Sequence, residues 1–108
     1  MFYKKTSTGY KEMLPGIKMK TLAFGTKTLL SEFKLNMGTV IPEHHHVHEQ
    51  TGYLVSGAIR LTINDETFDV VPGDSWCIES NIPHSVQVIE DSLIIEVFSP
   101  VRKEYLPH

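Results

Sequence analysis

Four of the six histidines in this 108-residue chain fall within five positions: His44, His45, His46 and His48. On an extended backbone His44 and His46 project from one face and His45 from the other. Gln50 follows His46 beyond an expected corner at Val47–Glu49. Two imidazoles and an amide oxygen converging there form a donor set for a divalent transition metal. Imidazole suits Zn, Ni, Fe, Mn and Cu, whereas an amide oxygen is a weaker, neutral ligand. Repulsion between neighbouring imidazolium charges lowers their proton affinity and favours the neutral, metal-binding form at neutral pH. His84, just after the proline-bearing turn Ser80–Pro83, is a fourth candidate donor. Spacing alone leaves its distance from His44 open. It also leaves a solvated histidine-rich turn as the other reading of this run.

Strands must position these groups, because helical periodicity is nearly absent. Short apolar or alternating runs, separated by Gly, Pro, Asn and Asp, predict strands at Lys18–Ala23, Leu29–Leu35, Tyr53–Ile63, Thr67–Val71, Ser75–Ile78, Ser85–Ile89 and Leu93–Phe98. Turn signals lie at Asn36–Gly38, Asn64–Glu66, Pro72–Asp74, Ser80–Pro83 and Glu90–Ser92. This rhythm points to an antiparallel sandwich or barrel. In the last strand Ile94, Glu96 and Phe98 share one face. A carboxylate between two apolar neighbours belongs either at a solvated edge or inside a functional cavity.

The bulk composition limits the function. The length is that of one domain, residues 1–108. The net charge of −3, with scattered Lys and Arg, offers no basic stripe for nucleic acid. Neither a signal-peptide pattern nor an apolar run near the ~20 residues of a membrane span is present. Cys77 is the single cysteine, so no internal disulfide forms, and we expect it to be a small buried hydrophobe. A soluble cytoplasmic protein is the expectation.

The spacing of the histidine run resembles the first motif of the cupin superfamily: Gly38, five residues, His44, one residue, His46, three residues, Gln50, six residues, Gly57. Gln50 stands where most cupins carry Glu. The second motif is partly kept: Gly73 and His84 match, whereas Glu79, Asn81 and Val88 replace its Pro, Gly and Asn. The resemblance implies an all-β fold, the cupin double-stranded β-helix barrel, an antiparallel jelly roll. It also implies a divalent transition metal (Zn, Ni, Mn or Fe) held by His44, His46, Gln50 and His84. With Gln50 replacing a carboxylate, the metal would keep more of its charge and act as a stronger Lewis acid.

Two segments, "HHHVHEQTGYLVSG" and "EVFSPVRKEYL", are similar to the pectin-degradation cupins, which convert 4,5-unsaturated uronates to linear ketonised sugars. Phe98 and Arg102 match that pattern directly, and Glu96 occupies the position of the family's Asp, one methylene longer. The resemblance implies that Arg102 grips the substrate carboxylate and Glu96 moves a proton as general acid/base. Phe98, Tyr53 and Trp76 are candidates to contact the sugar. It further implies a homodimer, sealed by Met1–Tyr10 and the tail Tyr105–Leu106. Two other functions fit a metal-binding cupin: a dioxygenase, and a non-catalytic module for sugars or small ligands.

Overall fold

Alternating apolar residues draw the chain into eight antiparallel strands around one core in the computed structural model, which describes residues 1–107. The strands are β1 (Lys11–Leu14), β2 (Ile17–Phe24), β3 (Leu29–Leu35), β4 (Val40–His44), β5 (Glu49–Ile63), β6 (Glu66–Val70), β7 (Ser75–Ile78) and β8 (His84–Ser99). They pair in the order β1-β2-β3-β8-β5-β6, with β4 on β8 and β7 on β5. Inward residues alternate along each strand: Leu29, Ser31, Phe33 and Leu35 on β3, and Ile94, Glu96 and Phe98 on β8 are all buried. Glu96 therefore lies inside the barrel rather than at a solvated edge.

The two long strands each serve two sets of neighbours. The start of β5 pairs with β7 and its end with β6. The start of β8 pairs with β4 and its end with β3. Between these halves the β5–β8 register slips at Leu54/Ser56, Ser56/Ala58 and Ala58/Ile59. The slip reverses the phase of β5: Gln50 and Leu54 face inward before it, Ile59 and Leu61 after it. Gly57 makes the bend with φ of +95°, and a Cβ there would collide with the Asp91 carbonyl and the Ser92 hydroxyl.

Several expectations need correction. The turn expected at Glu90–Ser92 is the outer side of this bend, so the two strands expected at 85–89 and 93–98 are one continuous β8. Exposed acidic residues there mimic a turn, but Ala58 still pairs with Glu90 and Ser56 with Leu93. β1 and β4 were not anticipated. β1 has no buried residue, and β4 carries Pro42, tolerated because β4 pairs only with β8. Cys77 is exposed, because on β7 it alternates with the inward Trp76 and Ile78. Tyr105 is buried in its own barrel rather than offered to a second copy. A short 3-10 turn, Lys103–Tyr105, returns it against Phe98 and Phe33, with ring centroids 5.4 and 6.2 Å away.

Candidate metal centre and cavity

His44 ends β4, and His84 begins β8 as its cross-strand partner, so strand pairing brings together two residues forty positions apart in sequence. His46 follows in the bend between β4 and β5. The ring centroids lie 4.2 Å apart for His44–His84, 5.1 Å for His46–His84 and 5.7 Å for His44–His46. One ligand atom from each of the three lies within 4.8 Å of the others.

Each ring is oriented by a backbone carbonyl at its Nδ1: Pro42 O at 2.8 Å for His44, His48 O at 2.9 Å for His46 and Ile82 O at 2.8 Å for His84. A carbonyl only accepts, so Nδ1 carries the proton and Nε2 presents a lone pair. Among the described residues, the Nε2 atoms of His46 and His84 are buried without a protein partner, as is Oε1 of Gln50. Gln50 sits on the inner face of β5 and donates its amide N–H to Glu96 Oε2, which turns its oxygen free. Three imidazole nitrogens with backbone-fixed tautomers and an unpaired amide oxygen form a donor set that fits a borderline transition metal. Burial pushes His84 down to about 4, with weaker help from the His44, His46 and Arg102 charges. Burial, then the Arg102 charge, also lowers His46. Both remain neutral at pH 7, as ligands must.

Beside this cluster lies a cavity of about 370 Å³, lined by His44, Gln50, His84, Glu96, Phe98 and Arg102 among apolar core residues. Burial pushes the Glu96 carboxyl up to about 7, while N–H donors from Trp76 and Gln50 and the Arg102 charge pull the other way. The Trp76 indole N–H donates to Glu96 Oε2 at 3.3 Å. Arg102 packs its guanidinium against Tyr105 at 4.2 Å and Phe98 at 5.1 Å. Among the described residues its buried Nε has no hydrogen bond, and Glu104 Oε1 lies 3.6 Å away. The cavity thus combines the Arg102 cation and the buried Glu96 carboxyl beside the histidine cluster.

Phe98 is both core and cavity wall, 1% exposed. Tyr53 does not line the cavity. In phase with Ile59 and Leu61 it would face inward, but the slip in β5 reverses that phase and leaves it 49% exposed on the outer surface. Tyr53 therefore does not reach a sugar in this cavity. His45 is exposed, and His48 is half-buried with its ring 5.6 Å from His46. Sequence reasoning did not find the Trp76–Glu96 contact or Tyr105 as a cavity residue. Gly52, inside a strand, was the available signal of a close approach.

Comparison with known proteins agrees with this fold. A family model described as "Cupin domain" matches residues 31–99. The pectin degradation protein KdgF of Dickeya dadantii (strain 3937) is 26% identical over 107 residues, covering 97% of either chain. The solved structure of KdgF from Halomonas sp. superposes with a TM-score of 0.92 at 30% identity, covering 98% of this chain and 100% of that one. An RmlC-like cupin from Shewanella frigidimarina NCIMB 400 shares the fold, with a TM-score of 0.88 at 22% identity over 93% of this chain and 90% of that one.

Proposed function

The chain belongs to the cupin-domain family, and from that premise we propose that it is a metal-dependent isomerase that opens unsaturated uronate sugars to linear keto forms. The observation that carries this reading is the burial of Glu96 in the cavity between Gln50 and Trp76, with Arg102 on the same wall. Similarity to two KdgF proteins, one named for pectin degradation, supports the substrate class.

His44, His46, His84 and Gln50 would hold the ion (Zn, Ni, Mn or Fe). When bound, the metal supplies a Lewis acid that polarises a substrate oxygen. Arg102, which lines the cavity with only a long 3.6 Å ion pair to Glu104, holds the uronate carboxylate through its guanidinium N–H groups. Stacking on Tyr105 and Phe98 fixes the guanidinium plane before substrate arrives. Glu96, near its midpoint at neutral pH, takes a proton from a sugar hydroxyl as the ring C–O bond breaks. It returns a proton to the carbon of the enol double bond, which becomes a saturated carbon beside a ketone. Substrate and product are isomers, so no co-reactant is needed. Phe98 and the apolar wall exclude water from the carboxyl.

Metal-loaded protein mixed with a 4,5-unsaturated uronate should remove the ultraviolet absorbance of the conjugated double bond. Glu96→Gln should lower kcat by about 10²–10⁴-fold while retaining metal. Absence of turnover, combined with ligand-dependent thermal stabilisation, would replace this reading with a binding module. Oxygen uptake would replace it with a dioxygenase, against which Gln50 in place of a carboxylate argues. The single domain, residues 1–108, is proposed to work in the cytoplasm as a homodimer. The exposed Met1 and Phe2 support pairing through the N-terminal segment, which light scattering tests.

A further inference from the structure

Gly52 lies between Trp76 of β7 and Glu96 of β8, paired with both across the sheet. Gly52 and Glu96 are buried and Trp76 half-buried, so the three form one row on the inner face. A Cβ on Gly52 would collide with the Cε2, Nε1 and Cζ2 atoms of the indole. The indole therefore lies directly across the β5 backbone, in space that any other residue would fill. From there its N–H reaches Glu96 Oε2 at 3.3 Å. Gln50, two residues before Gly52 on the same face, donates to the same oxygen. Neither donor takes Oε1.

We propose that Trp76, seated over Gly52, is a positioning residue that clamps one oxygen of the Glu96 carboxylate and leaves the other to handle the substrate proton. A glutamate side chain has three torsions between backbone and carboxyl, and proton transfer needs its oxygen placed to within a fraction of an ångström. Two N–H donors on one oxygen supply that constraint. A glycine within a strand weakens it and leaves nothing to pack, so the position is costly unless a close approach requires it. Here the close approach is the indole. The role rests on the reading of Glu96 as the proton-moving group.

Two measurements test the clamp. In steady-state turnover of an unsaturated uronate, Trp76→Phe should lower kcat about tenfold with KM within about twofold, as expected of misplacement rather than lost binding. In a Glu96→Gln background the same change should cost nothing further. Gly52→Ala, which expels the indole, should reproduce the loss, with metal content by elemental analysis equal to that of the wild type. Independently of turnover, Trp76 is the only tryptophan, so its fluorescence reports the contact. Glu96→Ala should shift its emission maximum. Full kcat in Trp76→Phe, or unchanged emission in Glu96→Ala, overturns the proposal. No uronate turnover by the wild type, together with an emission shift in Glu96→Ala, overturns the uronate reading while supporting the clamp.

Discussion

At the scale of single residues, the site is set by what each polar atom is denied. Three backbone carbonyls take Nδ1 of His44, His46 and His84, so each lone pair is left on the other nitrogen. The Glu96 carboxylate takes the amide N–H of Gln50, so the amide oxygen is left over. Spacing made His44, His46 and Gln50 legible in the sequence. The contact of His84 was not legible, because it depends on the register of β4 with β8. These burials predict a pH signature for the metal-free protein. His84 is pushed down from 6.5 to about 4, so across that window the unfolded chain binds the proton more readily and stability rises with pH. Glu96 is pushed up from 4.5 to about 7, so there the folded chain binds the proton more readily and stability falls as pH rises. The two oppose each other between pH 4.5 and 6.5. Calorimetry of metal-free Glu96→Gln should therefore show Tm climbing more steeply with pH across this window than in the wild type. Parallel slopes would contradict the buried, neutral Glu96.

At the scale of elements, the bend in β5 decides which residues reach the cavity. Strands with clean alternation were legible: Leu29–Leu35 and Ser75–Ile78 lie where their patterns put them. β1 and β4 were not, because short edge strands with no fully buried residue carry little alternation to read. The phase reversal was hidden for a different reason. A bulge leaves composition unchanged while reversing the phase between its two sides, so Tyr53 before it and Ile59 after it lie on opposite faces. Gly57 and Gly73 both have positive φ, +95° and +97°, but only Gly57 abuts other atoms. Gly57→Ala should therefore cost more than Gly73→Ala, by about 1–3 kcal/mol beyond the shared backbone strain. Urea unfolding of the two variants measures the difference, and equal costs would mean that the bend is not held by close packing against Ser92. Asn81, standing where the cupin motif carries Gly, keeps the turn before His84 with φ of +63°, a conformation Asn tolerates better than most residues.

At the scale of the whole molecule, a single barrel holds the histidine cluster beside a cavity lined by Glu96 and Arg102. The C-terminal turn completes it, because Tyr105 folds back to support Arg102. Class and architecture were legible from strand rhythm and motif spacing together. The closure by the tail was not, since its few residues carry no periodic pattern. The proposed reaction depends on three imidazole nitrogens and one amide oxygen sharing one ion. Anomalous diffraction from crystals of nickel-saturated protein tests this directly. One ion per chain is expected, about 2.0–2.3 Å from Nε2 of His44, His46 and His84 and from Oε1 of Gln50. No ion at this cluster, or an ion bound elsewhere with these atoms still unliganded, would contradict it.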